Sequence, residues 1–269
     1  MGSVVTPSGQ RLHFTDDGDG PPVLLIHGWA MSRAILAPLG ARLGAGRRVV
    51  GYDLRGHGES PATGSATLDD HAADLACLME ALAIDRALVV AWSLGAQVLL
   101  RALPSLRARV AGAALVAATP RFTLAEGWSH GLPSRQVEVL AQRFRRDPAR
   151  TRARFLADLF APAEREALGP ERLGALDASM PPPDRGAALA GLDQLATADL
   201  RTGLATIDRP VLLLHGDADP ICPVGAARAA AAALAGARAC LIAGAGHAPF
   251  LTREDESVAA IRSFAEGLA

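Results

Sequence analysis

Short apolar runs alternate with amphipathic stretches through the first 120 residues. Residues 23–26, 88–91 and 110–117 are apolar at almost every position, and 48–52 nearly so. A strand that is apolar on both faces is covered on both faces, as in a parallel sheet sandwiched between helices. Between these runs, Leu68, His71, Leu75, Leu78, Met79 and Leu82 recur every three or four positions, which predicts a helix over 67–83. Helices are also expected over 32–44 and 95–108. Near the start, 4–5 and 11–14 flank Pro7-Ser8-Gly9, a hairpin signal.

The pattern changes at Thr119-Pro120. From 121 to 200 no segment reads as a strand. Arg-rich amphipathic stretches take over at 134–146, 149–160, 162–176 and 185–198, punctuated by Pro133, Pro148, Pro162 and Pro181. Strand and helix signals then resume at 211–214, 224–235, 239–242 and 255–268. The expected organisation is an α/β core from 1–120 and 201–269, interrupted by an all-helical insertion at 121–200.

The chemistry is concentrated where predicted strands end. The run 88–92 breaks into Ser93-Leu94-Gly95 and continues as a helix, with Ala91 and Gly95 the small neighbours of the serine. A tight strand-to-helix turn presents such a hydroxyl at the sheet edge, and the helix N-terminus behind it supplies free N–H groups. After 211–214 comes His215-Gly216-Asp217-Ala218-Asp219-Pro220, and after 239–242 comes Gly244-Ala245-Gly246-His247. Both loops leave the carboxyl edge of the sheet, so His247 can serve as base to Ser93 and an aspartate can orient it. Asp219 is preferred to Asp217, because a side chain that reaches sideways belongs further into the loop. The backbone N–H groups of Trp29, after the strand 23–26, and Leu94 are the candidate oxyanion donors. His27, His57 and His215 read as buried structural histidines, and Asp53 and Arg55 as loop braces.

Composition narrows the alternatives. A net charge of −1 offers no global field for nucleic acid or an anionic membrane. Lysine is absent, so all 27 basic side chains are arginine. Three cysteines without regular spacing suggest neither a disulfide framework nor a metal knuckle, and no phosphate-binding loop is present. No cofactor and no metal are expected. The opening residues lack a basic segment followed by an apolar run, so a cytoplasmic location is the expectation.

Taken together, His27-Gly28-Trp29, the stretch Asp53-Leu54-Arg55-Gly56-His57-Gly58-Glu59-Ser60, the serine turn, the Asp219 loop and the Gly246-His247 loop resemble the α/β-hydrolase superfamily. Narrower similarity is to the pimeloyl-acyl-carrier-protein methyl ester esterases of biotin synthesis. It rests on His27-Gly28-Trp29, Trp92-Ser93-Leu94-Gly95, Arg154-Phe155-Leu156-Ala157, residues 197–201 and His247-Ala248-Pro249-Phe250. The resemblance implies a serine carboxylesterase with Ser93, Asp219 and His247 as its triad and 121–200 as a cap. Its substrate contacts would fall on Trp29, Leu94 and the segment from Phe155 to Leu159. Arg150 and Arg154, and more loosely Arg165, would match arginines that hold an acidic acyl carrier protein. The expected channel is lined by Trp29, Phe122, Trp128, Phe155 and Leu159 and suits an aliphatic acyl chain. Ala91 stands where the commonest motif has Gly, and Asp158 places a negative charge inside the substrate segment. A short-acyl esterase or lactonase, other chemistry on the same fold such as perhydrolysis, and a non-catalytic binding protein remain as alternatives.

Overall fold

The computed structural model describes residues 1–268. Its strands are β1 (Gly2–Val5), β2 (Arg11–Asp17), β3 (Pro22–Ile26), β4 (Arg48–Tyr52), β5 (Ala87–Trp92), β6 (Val110–Val116), β7 (Val211–Gly216) and β8 (Arg238–Ile242). They form one sheet in the order β1-β2-β4-β3-β5-β6-β7-β8. The β1–β2 and β2–β4 pairs are antiparallel, and every pair from β4 to β8 is parallel.

Apolar residues on both faces of these strands require cover on both sides. Successive residues of β5 point to opposite faces. Val89 and Ala91 join one core cluster, whereas Leu88, Val90 and Trp92 join the other. The first cluster is closed by α2 (Leu68–Ala81), α3 (Leu94–Leu106) and α9 (Val224–Ala233). The second is closed by α1 (Ala37–Leu43) and α11 (Glu254–Glu266). Helix α2 begins where its sequence says it should. Thr67 caps it, with Oγ1 accepting from the Asp70 N–H while the Asp70 carboxylate accepts from the Thr67 N–H. The stretch expected as one helix over 32–44 divides instead into a 3-10 turn, Arg33–Leu36, and α1, with Pro38 entering at the start of the helix where its missing N–H costs nothing.

Between β6 and β7 the chain forms α4 (Ser134–Arg146), α5 (Pro148–Asp158), α6 (Pro162–Ala178), α7 (Arg185–Thr197) and the short α8 (Arg201–Leu204). Helix α5 starts on Asp147, whose carboxylate accepts from the Arg150 N–H. Helix α6 breaks at Gly169, whose φ of 68° precedes Pro170. The remaining short helix is α10 (Pro249–Thr252). No helix among the described residues is long and apolar enough to cross a membrane.

The loop after β4 is held by buried charge. Asp53 accepts from the Arg33 N–H at 2.7 Å and the Glu59 N–H at 2.9 Å, and it pairs with the Arg33 guanidinium. Arg55 grips Asp74 of α2 through two hydrogen bonds of 2.7 Å, with both side chains almost fully buried. His27 bridges to the same loop: its Nδ1 is 2.8 Å from the Gly28 carbonyl and its Nε2 accepts from the Leu54 N–H at 3.0 Å. One nitrogen must then carry the proton and the other accept, so the ring is neutral.

Burial lowers the His27 and His57 pKa values from the usual 6.5 to about 4, and that of His71 to about 3. The folded chain therefore binds fewer protons than the unfolded chain between those values and 6.5. The resulting stability is complete above pH 6.5 and is lost as the pH falls toward 4. We expect the urea midpoint to drop over that window, with each of His27 and His57 accounting for on the order of 3 kcal/mol. A midpoint that stays constant from pH 7 to pH 4.5 would contradict the burial of these rings as neutral groups.

Candidate active site

Ser93 occupies the junction of β5 and α3. Its φ of 56° and ψ of −118° lie in the left-handed region, which a residue with a Cβ seldom enters. Two backbone hydrogen bonds fix the turn: the Ser93 N–H donates to the Val116 carbonyl at 3.0 Å, and its carbonyl accepts from the Ala96 N–H at 2.9 Å. The loop after β3 is pressed against it. A Cβ on Gly95 would stand 2.5 Å from the His27 carbonyl oxygen and 2.7 Å from that of Ile26, and a Cβ on Gly28 would stand 3.1 Å from the Ser93 Cβ. Ala91 needs no such room. Its methyl is fully buried in the core cluster beneath α2 and α3.

The turn delivers the hydroxyl to two other strand ends. Ser93 Oγ is 2.9 Å from His247 Nε2, and His247 Nδ1 is 2.8 Å from Asp219 Oδ2. The His247 and Asp219 side chains are wholly buried, while Ser93 is partly exposed. The other Asp219 oxygen accepts from the Ile221 and Cys222 N–H groups, each at 2.8 Å. Burial pushes the Asp219 carboxyl up, but the neighbouring His247 and the hydrogen bonds from His215 and His247 outweigh it. The net effect holds the acid well below the usual carboxylate range. An ionised Asp219 only accepts, so it fixes the proton on His247 Nδ1 and leaves Nε2 free to accept from the serine. Asp217 does a different job: its Oδ1 accepts from the Gly244 N–H at 2.7 Å and ties the two loops together.

The Trp29 and Leu94 backbone N–H groups make no hydrogen bond among the described residues. Leu94 opens α3, and Trp29 follows the glycine that touches Ser93. The arrangement therefore offers a nucleophile, a base with an orienting acid, and two unengaged donors at one sheet edge.

A cavity of about 320 Å³ lies beneath α4 and α5 and reaches the Asp219 loop at Pro220 and Ile221. Phe122, Val137, Leu140, Phe155, Pro220 and Ile221 line it, and Asp158 and Arg165 stand at its rim. Three other candidates are placed differently. The Trp29 indole donates to the Ala188 carbonyl at 2.7 Å and meets Phe155 edge-on at 4.8 Å, so it backs the wall rather than forming it. Trp128 does not line the cavity. Its N–H needs an acceptor and finds the Arg121 carbonyl at 2.9 Å, with the Arg201 guanidinium 6.0 Å from the ring centre. Leu159 does not line it either, because its side chain packs into the core cluster that holds Trp92 and Phe250. A larger cavity of about 720 Å³ lies between α1 and β4, and Ser93, Asp219 and His247 line neither of the two.

Arg150 is exposed. Arg154 and Arg165 flank Asp158 at 3.6 and 3.4 Å, so the acidic residue is set between two guanidinium groups. No cluster of metal-ligating side chains occurs among the described residues. His215 is buried and satisfied, as its sequence position suggests, with Nε2 2.9 Å from the Cys222 carbonyl, and the same atom lies 3.2 Å from Asp219 Oδ2. Glu164 of α6, which escaped the sequence reading, accepts from the Gly246 N–H, one residue before His247. It carries no local sequence signal for that contact.

A family model described as the alpha/beta hydrolase fold matches residues 21–254. A pimeloyl-[acyl-carrier protein] methyl ester esterase from Stenotrophomonas maltophilia is 36% identical over 96% of this chain and 98% of its own length. A protein of the same name from Aliivibrio salmonicida is 30% identical over 94% of this chain and 95% of its own. A thermophilic esterase structure from Thermogutta terrifontis superposes with a TM-score of 0.86 at 27% identity, covering 99% of this chain and 98% of that one. The chain belongs to the α/β-hydrolase family, alongside relatives named pimeloyl-[acyl-carrier protein] methyl ester esterases.

Proposed function

We propose that this protein is a serine carboxylesterase that removes the methyl group from a pimeloyl-acyl-carrier-protein methyl ester. The hydrogen-bonded chain from Ser93 through His247 to Asp219, at 2.9 and 2.8 Å, carries the reading of the chemistry. The names of the relatives support the choice of substrate.

In this reading His247 Nε2 takes the proton of Ser93 Oγ as the oxygen attacks the ester carbonyl. The Trp29 and Leu94 N–H groups receive the developing oxyanion, where preorganised donors lower the barrier most. The imidazolium, steadied by Asp219, returns its proton to the methoxide oxygen, and methanol leaves. A water then enters. His247 takes one of its protons, the hydroxide attacks the acyl carbon, and the free acid departs as Ser93 recovers its hydrogen. No external cofactor enters these steps.

The helical segment 121–200 acts as a cap over the acyl chain, which lies along Phe122 and Phe155 in the cavity of about 320 Å³. The carrier protein, an acidic partner, docks on the arginine face of α5 and α6. Arg150 and Arg154 contribute the steering charge, and Arg165 adds to it while pairing with Asp158.

Ser93→Ala should lower kcat for p-nitrophenyl butyrate by at least about 10⁴-fold, and Asp219→Asn should lower it by about 10³- to 10⁴-fold. Full activity in purified Ser93→Ala would refute the assignment. Mass spectrometry should follow loss of the methyl group from methyl pimeloyl carrier protein. The double variant Arg150→Glu, Arg154→Glu should slow that reaction by at least about tenfold at low salt and leave the small ester unaffected. Equal slowing of both substrates would argue against docking at this face.

A further inference from the structure

The loop that carries His247 is made of small residues and has no regular structure of its own. Four of its backbone donors in a row, Gly244 to His247, are nevertheless engaged. The Gly244 N–H reaches Asp217, the Gly246 N–H reaches Glu164 Oε2 at 2.8 Å, and the His247 N–H reaches the Leu159 carbonyl at 2.6 Å. The His247 carbonyl accepts from the Trp92 indole N–H at 2.8 Å. The bonds to the His247 N–H and to the N–H just before it therefore come from residues 159 and 164, more than 80 positions away in the chain.

Glu164 is the centre of that attachment. It sits at the third position of α6, where a glutamate commonly folds back to cap its own helix. Here Oε2 accepts from the Ala161 N–H at 2.9 Å and from Gly246 at once, and Oε1 accepts from the Thr252 hydroxyl of α10. The side chain is buried, and no cation pairs with it among the described residues. The contact is closely fitted. A Cβ on Gly246 would stand 2.6 Å from the Leu159 carbonyl oxygen, 2.7 Å from Ala161 N and 2.8 Å from Glu164 Oε2. A buried carboxylate with three neutral donors costs free energy unless every donor is kept in place, so it resists displacement of any of them.

We propose that Glu164 is a positioning residue for the base: it clamps the inserted helix α6 to the loop on both sides of His247 and thereby sets the imidazole against Ser93. It touches no substrate and acts through His247, so this inference rests on the esterase reading for its kinetic arm. A displacement of the base by about 1 Å costs of order 10²-fold in rate.

The test compares wild type, Glu164→Ala and Glu164→Gln. Steady-state kinetics on p-nitrophenyl butyrate is one readout, and the downfield proton NMR signal of the His247 Nδ1–H, assigned by its loss in His247→Gln, is the other. Glu164→Ala should keep its circular dichroism and lower kcat by about 10²-fold with KM within about threefold, and the downfield signal should broaden or vanish. Glu164→Gln retains one acceptor oxygen for three donors. It should lose only about threefold to tenfold in kcat and keep the signal, and it is the decisive variant if the alanine chain does not fold. Wild-type kcat in a folded Glu164→Ala or in Glu164→Gln, or a loss confined to KM, would overturn the proposal. If wild type lacks Ser93-dependent esterase activity, the function reading fails, and the NMR signal alone then decides for or against Glu164.

Discussion

The left-handed backbone at Ser93 constrains everything around it. A residue with a Cβ in that conformation stores about 1–3 kcal/mol of strain, and only surroundings that over-determine the turn can hold it. Here those surroundings are the ends of neighbouring strands. The Val116 carbonyl of β6 takes the Ser93 N–H, and the loop after β3 lies so close to Gly95 that a side chain there would collide with the Ile26 and His27 carbonyls. In that loop Gly28 packs against the serine, and Trp29 follows it with its N–H unengaged among the described residues. One strained residue thus fixes the serine hydroxyl and the packing of the loop after β3 together.

Much of this was legible in the sequence, because the elements concerned follow local rules. The apolar runs gave the strands of the sheet, and the 3.6-residue spacing gave α2. The prolines marked where α4, α5 and α6 begin, so those helices fall within a few residues of expectation. Loop position also separated Asp219 from Asp217, since the geometry pairs the former with His247 and the latter with Gly244. What was hidden is long-range or directional. Glu164 looks like an ordinary helix cap until Gly246 arrives from 82 positions away. His215 reads as buried and is so, but its contact with Asp219 shows only once the loop folds back over it. Trp128 and Leu159 have the apolar character that a channel wants. The direction of their side chains depends on an irregular segment and a helix end, which carry no periodicity to read.

The helices between β6 and β7 serve the site at two distances. Remote from the serine, α5 and α6 present guanidinium groups to solvent and keep Asp158 between two of them. Close to it, residues 159–164 hold the loop of the base. The edge of α6 nearest His247 is therefore part of the scaffold, whatever freedom α4 and α7 have above Phe155. Asp219 is braced by comparable redundancy, with Ile221, Cys222, His215 and His247 all directed at its two oxygens.

The guanidinium character of every basic side chain has its own consequence for the buried pair of Arg55 and Asp74. An ammonium partner would begin to lose its proton near pH 10, whereas a guanidinium stays charged well beyond it. Alkali therefore leaves that link between the β4 loop and α2 intact. The burden falls on buried acids kept protonated, the Tyr52 phenol and the Cys222 thiol, whose ionisation burial drives upward. Once the medium passes the values these groups have in an open chain, unfolding releases their protons, and stability falls as the pH rises further.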